Sequence, residues 1–128
     1  MVASTGNKRH NYKKLIIWQL ALEISYDVSD LIGTLPHQEM FNLRSQLSRC
    51  SISMPSNIAE GSARSTKSFS HFIDIALGSS FELGTQLLIA YHRRYLSEKA
   101  LEKFESKIEE FQRMTMSFQN RLTTNTVK

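Results

Sequence analysis

The sequence predicts an all-α fold, an antiparallel up-and-down bundle of four amphipathic helices, and three observations carry that expectation. Apolar residues recur every three or four positions in four separate stretches, the period of one face of an α-helix. Five glycines and two prolines are too few for the turns of a strand-and-hairpin architecture. Short connections join the stretches, which makes consecutive helices antiparallel neighbours. With 128 residues, 41% hydrophobic and 22% charged, the chain supports one domain with a modest core.

The first helix is expected from about Lys13 to Ile32. Trp18, Ala21, Ser25, Val28, Ile32 and Leu35 keep the helical spacing, flanked by Ile17, Leu20, Ile24 and Leu31. Gly33 and Pro36 then supply a stop. Met40, Leu43, Leu47, Cys50, Met54 and Ile58 mark the second helix, which closes at Gly61. Pro55 lies inside it; proline lacks the N–H for the carbonyl four residues back and crowds it, so a kink is expected near Ser51 to Pro55.

The stretch GSARSTKS at 61–68 reads as a loop, with Ser65 or Thr66 capping the third helix. That helix carries Phe69, Phe72, Ile73, Ala76, Ser80, Leu83, Leu87 and Tyr91 on one face. Its interior also holds Gly78, Ser79, Ser80 and Gly84, which add nothing to helix propensity and predict close approach by another helix. Ser97 is a natural cap for the fourth helix, with Glu98 in the first turn where the helix dipole favours negative charge. Leu101, Phe104, Ile108, Phe111, Thr115, Phe118 and Leu122 form its apolar stripe. The organisation is therefore a flexible basic tail at 1–12, a bundle domain at 13–122 and a C-terminal tail at 123–128.

Cys50 is the single cysteine, so neither an intrachain disulfide nor a cysteine-based zinc site can form, and a reducing compartment is the expectation. The opening residues MVASTGNKRHNYKK lack the apolar core of a signal peptide, and no apolar run approaches the roughly 18 residues of a membrane span. A cytoplasmic protein is expected. His10, His37, His71 and His92 never fall four apart on one helical face, so no metal or other cofactor is expected. GSARSTKS differs from a phosphate-binding loop by Thr66 at the second glycine and follows a helix instead of a strand. With no nucleophile set or acid–base pair, the chain is expected to be non-enzymatic.

Charge is the best clue to a partner. The chain carries a net charge of +4. In an up-and-down bundle one end collects the start of helix 1, the helix 2–3 loop and the end of helix 4. Lys8, Arg9, Lys13, Lys14, Arg64, Lys67, Arg121 and Lys128 fall there, against Glu60 alone. Such an end suits phosphate, because each neutralised phosphate releases condensed counterions. Lys13, Lys14, Arg64 and Lys67 are the expected RNA or DNA contacts. Arg93, Arg94 and Tyr95, in the run Tyr91-His92-Arg93-Arg94-Tyr95, form a second set that offers cations beside aromatic rings. Asn57, Glu60, Glu82 and Gln86 are expected to form a polar network that fixes helix register, in the core or at an interface. The alternative is a structural or protein-interaction scaffold without a nucleic-acid ligand.

Several runs carry a resemblance to a known family. They are Ile17-Trp18-Gln19-Leu20-Ala21; Leu43-Arg44-Ser45-Gln46-Leu47-Ser48-Arg49; Ser53-Met54-Pro55-Ser56-Asn57-Ile58-Ala59-Glu60-Gly61; and the segment from Ala76 to Leu87 containing Glu82-Leu83, Thr85 and Gln86. From about Tyr12 to Leu122 the chain resembles the bacterial four-helix proteins associated with 23S rRNA intervening sequences, the S23-type proteins. Gly84 departs from the pattern, which commonly has Glu there. The resemblance implies a four-helix bundle that assembles into a ring-like homopentamer. It also implies kinship with accessory variability determinants of diversity-generating retroelements, which associate with a reverse transcriptase and nucleic acid. It assigns no catalytic residue.

Overall fold

The computed structural model describes residues 10–127, with side chains described as far as Thr124. Four helices, α1 (Ile16–Ile32), α2 (Leu43–Ser62), α3 (Thr66–His92) and α4 (Glu98–Val127), are preceded by a short 3-10 turn at Tyr12–Lys14, and a second such turn, His37–Glu39, lies between α1 and α2. Each helix packs on its neighbours in sequence, and α1 meets α4 to close the bundle. Contacts at the two ends fix the alternating direction. At one, the His10 N–H donates to the Ser62 carbonyl at 3.2 Å, joining the chain before α1 to the end of α2. At the other, Glu39 between α1 and α2 binds Arg93 and Tyr95 between α3 and α4.

The stripes read from sequence bury much as expected, with local rotations. On α1 the buried positions are Ile17, Ala21, Ile24 and Val28. On α3 Ala90 turns inward and Tyr91 outward. Pro55 sits inside one continuous helix, so α2 does not split in two. Caps fall where short polar side chains were available. Ser65 Oγ accepts from the Ser68 N–H at 3.3 Å and Ser97 Oγ from the Ala100 N–H at 3.1 Å, each satisfying an orphan donor of a first turn.

Three expectations are corrected. α1 starts at Ile16, because Lys13 and Lys14 belong to a separate turn capped by the Asn11 side chain, and Leu15 is extended with φ −75° and ψ 125°. The described part of the expected tail, residues 10–12, is docked: the His10 ring meets Phe69 and Phe118 edge-on at centroid distances of 5.2 and 5.9 Å. At the other terminus α4 runs to Val127, past the tail boundary expected at 123. No glycine or proline after Ser97 ends the helix, and the buried Leu122 holds it to the bundle.

The small residues of α3 also behave differently from expectation. A Cβ added at Gly78 or Gly84 would meet nothing within 4 Å, so among the described residues no other helix comes into contact there. Ser79 and Ser80 are buried and bonded, Ser79 Oγ donating to Ser53 Oγ of α2 at 2.8 Å and Ser80 Oγ accepting from Gln112 Nε2 of α4 at 3.0 Å. The close approach lies at Gly61 instead. A Cβ there would stand 2.7 Å from Phe69 Cδ1 and 2.8 Å from Phe72 Cβ.

α3 is long and apolar enough, by length and composition, to cross a membrane, but 44% of its most apolar window is buried by the rest of the bundle, as in a core helix. α4 is tied to α1 by Lys107, whose Nζ lies 2.6 Å from Asp27 Oδ2 and 2.7 Å from Glu23 Oε1.

The two kinds of glycine predict opposite outcomes. Gly61→Ala must push Phe69 off α2 and is expected to cost about 1–3 kcal/mol, the usual range for overpacking. Gly78→Ala, with open space around it, is expected to gain up to about 1 kcal/mol from helix propensity. Urea unfolding followed by circular dichroism measures both, and equal midpoints for the two variants contradict the assignment.

Candidate functional site

The basic end is built from the turn before α1, the α2–α3 link and the two helices that flank it. Lys13, Lys14 and Lys67 are exposed, and among the described residues no carboxylate stands within ion-pair distance of their ammonium groups. Arg64 is exposed but engaged: its Nε donates to Glu60 Oε2 at 3.0 Å, with a second contact through Nη2, and its guanidinium lies over the Phe72 ring at 5.3 Å. Arg121 donates to Ser117 Oγ at 2.8 Å. Lys8, Arg9 and Lys128 lie outside the described residues. The GSARSTKS segment is a helix end, a link and a helix start. Its N–H groups at Ala63, Arg64 and Ser68 bond to Glu60 and Gly61 carbonyls and to Ser65 Oγ, so they do not line a phosphate cradle.

The second cationic set divides. Arg93 Nη1 donates to both Glu39 oxygens at 3.0 Å, and the Tyr95 hydroxyl donates to Glu39 Oε2 at 2.7 Å. Both side chains therefore tie the two far connections together. Arg94 remains exposed, beside an open depression of about 550 Å³ that Tyr91, His92 and Ser97 also line. Its φ of 66° is left-handed. The Tyr95 N–H reaches the Ala90 carbonyl at 3.0 Å and the Arg94 N–H the Tyr91 carbonyl at 2.9 Å, which is the Schellman ending of a helix with arginine at the position glycine usually takes.

Glu39 is buried, and its chemistry follows from its partners. The Tyr95 hydrogen bond, with the Arg93 guanidinium, holds its carboxyl below the ordinary carboxylate range against the opposing effect of burial. The same bond pushes the Tyr95 phenol up. Glu39 carried no signal in its own stretch of sequence, because its partners lie 54 and 56 residues downstream.

The expected network of Asn57, Glu60, Glu82 and Gln86 is three separate groups. Asn57 Nδ2 donates to the Ser53 carbonyl and hydroxyl at 2.8 and 2.9 Å, and Glu60 pairs with Arg64. Glu82 and Gln86 meet at Cys50 instead. Gln86 Nε2 lies 3.2 Å from Cys50 Sγ and 3.5 Å from Gln46 Oε1, while Cys50 Sγ is 3.9 Å from Glu82 Oε1. These groups line a cleft of about 370 Å³ between α2 and α3, with Phe41, Ser45, Arg49, Ser53 and Ser79 around it. Burial pushes the Cys50 thiol up and the neighbouring Glu82 adds to the rise, although the Gln86 N–H opposes it, so sulfur stays protonated near neutral pH. The sequence missed Gln46, Arg49 and Phe41 here; the i, i+4 spacing of Gln46 and Cys50 on the helix facing Gln86 was the available signal.

The sequence model of a family described as 23S rRNA-intervening sequence protein matches residues 13–117. A crystal structure from Bacteroides thetaiotaomicron, described as a protein with unknown function from the S23 ribosomal protein family, superposes with a TM-score of 0.75 at 23% identity, covering 81% of this chain and 98% of its own. That likeness shows the shared fold. No curated protein matches the chain.

The Glu39 clamp predicts an acid-sensitive stability. A carboxyl whose folded-state pKa is depressed stabilises the fold above its unfolded pKa and loses that contribution as pH falls through the folded value. Glu39→Gln is expected to melt below the parent near about pH 7, with the gap closing as pH falls below the ordinary carboxylate range. Thermal unfolding across that range checks it, and a gap independent of pH contradicts it.

Proposed function

Because this chain belongs to the 23S rRNA-intervening sequence protein family, we propose that it is a non-enzymatic, self-assembling bundle that holds nucleic acid on the repeated basic ends of its copies. The observation that carries the reading is the set of exposed ammonium groups on Lys13, Lys14 and Lys67, which have no ion-pair partner among the described residues, at an end where Glu60 is already paired to Arg64. That pair is itself half exposed, so it is weak and Arg64 can exchange to a phosphate at little cost. Lysines on solvated stems give point charges without a base-reading fork, which suits sequence-tolerant binding. Arg94 is the member of the second cationic set left to contribute.

Assembly would multiply this charge. Phe81 and Leu88 are 55% and 50% exposed and border a groove between α3 and α4 with Gly84, Ile108, Glu105 and Glu109. Leaving two large apolar side chains in water beside an unfilled glycine is the kind of surface that a second copy covers. The ring-like homopentamer is the stoichiometry that the family resemblance supports, and a cytoplasmic site fits a cysteine kept as a thiol. The non-enzymatic reading fits a Cys50 held protonated. The exposed apolar groove also favours a second reading, a scaffold for a protein such as a reverse transcriptase with no nucleic-acid ligand of its own.

Two measurements separate these readings. Filter binding of single-stranded RNA across a salt series is expected to show a steep dependence, and changing Lys13, Lys14 and Lys67 together to Gln lowers the log–log slope by about 2. An unchanged slope, or no binding at low salt, overturns the nucleic-acid reading and leaves the scaffold. Mass-resolved size exclusion of nuclease-treated protein is expected to report an oligomer that Phe81→Glu reduces to monomer with its helical circular dichroism retained; a monomeric parent overturns self-assembly.

A further inference from the structure

We propose that the cleft between α2 and α3 is a nucleobase site, one that accepts the donor–acceptor edge of adenine on Gln86 and the base's face on Phe41. This deepens the nucleic-acid reading, and rests on it only for a strand as the source of the base.

The floor of the cleft is polar and poorly satisfied. Gln86 is nine-tenths buried, and its Oε1, itself closed to solvent, has no hydrogen-bond partner among the described residues. Its Nε2 is spent on a thiol sulfur, a weak acceptor, and on Gln46 Oε1 at the 3.5 Å limit of a hydrogen bond. A buried amide with one orphan acceptor and one underused donor is costly unless something outside the chain completes it. The group that completes both atoms at once presents a donor beside an acceptor at amide spacing. Adenine does so with its exocyclic amino group and the adjacent ring nitrogen, the pairing that glutamine makes with that base elsewhere.

The mouth of the cleft supplies the remaining contacts. Phe41 is 91% exposed, a whole aromatic ring left in water at the rim. Stacking a base on it covers both faces in contact and needs no particular sequence. Arg49 and Glu82 on opposite walls carry opposite charges, so these walls add no net attraction for phosphate and favour a neutral ring system. Gln46 is exposed and its side chain makes one long contact, to Gln86 Nε2, so it swings aside at little cost, and the Gln86 amide must then turn toward the cleft for a base to reach its shielded Oε1. At about 370 Å³ the cleft is within the range of ordinary small-molecule sites.

A free nucleotide and an unstacked base in a single strand share this chemistry. Isothermal titration of the full chain with AMP, ribose 5-phosphate and single-stranded oligoadenylate distinguishes them. AMP is expected to bind saturably and ribose 5-phosphate not at all. Phe41→Ala, at a side chain that supports no core packing, is expected to weaken AMP about tenfold or more, and Gln86→Leu to do likewise. If oligoadenylate binds more tightly than AMP and loses affinity in both Phe41→Ala and the triple lysine variant, the strand is the source. If AMP binding survives the lysine changes while oligoadenylate binding never appears, the site takes the free nucleotide and the basic-end reading fails alone. Equal binding of AMP and ribose 5-phosphate, no AMP binding, or an AMP affinity unchanged in Phe41→Ala overturns the inference. Oligoadenylate binding that persists in that last case leaves the basic-end reading standing.

Discussion

The contact on which the rest of the bundle depends is the Phe69 ring lying against the bare backbone of Gly61. Phe69 is 1% exposed, and in addition to Gly61 on α2 it meets the His10 ring before α1 and the Phe118 ring of α4 at 5.5 Å. One α3 side chain thus touches α2, α4 and the stretch of chain that leads into α1. Edge-on aromatic contacts add about 0.5–1.5 kcal/mol each beyond area burial and also set orientation. Because only hydrogen fits between α2 and the ring, this contact fixes how closely and in what register α2 and α3 run. The register in turn places Cys50 opposite Glu82 and Gln86 farther along the pair.

The opposite end is held by a different kind of force. Glu39 accepts from Arg93 and Tyr95, so a buried carboxylate is paid for by three hydrogen bonds, and both connections between helices are tied through it. Apolar closure at one end and charge-assisted closure at the other leave the middle of α2 and α3 carrying small polar side chains. Ser53, Ser79 and Cys50 are too short to fill the space between the helices, and the cleft is the consequence. On the far side Lys107 bridges two carboxylates of α1, and its Nζ pKa is raised first by the Asp27 bond and then by Glu23. That clamp joins α4 to α1, the neighbouring helices that pack least extensively among the described residues.

Local features were legible because they depend on neighbours in sequence. The four periodic stripes, the Ser65 and Ser97 caps and the exposed lysines of the basic end are each decided within a turn or two of helix. Expectations failed where a distant partner took the group. Arg93 and Tyr95 have the composition of a nucleic-acid motif, yet a carboxylate more than fifty residues away occupies them. The glycine and serine strip of α3 looked like one packing surface. The helix turns its serines inward to α2 and α4 and its glycines outward, a division that depends on where the neighbouring helices sit.

By itself, then, the sequence determined the helix count, their approximate bounds and the antiparallel order, since 3.6-residue periodicity and short links leave few other solutions. Only the tertiary structure decided that His10 is docked, that Gly61 is the point of closest approach, that Arg93 and Tyr95 are locked and that Gln86 is buried with an orphan oxygen. Those outcomes depend on the rotation of each helix about its own axis. A shift of one residue turns a side chain by about 100°, which the pattern of apolar residues leaves undetermined and interhelical packing settles.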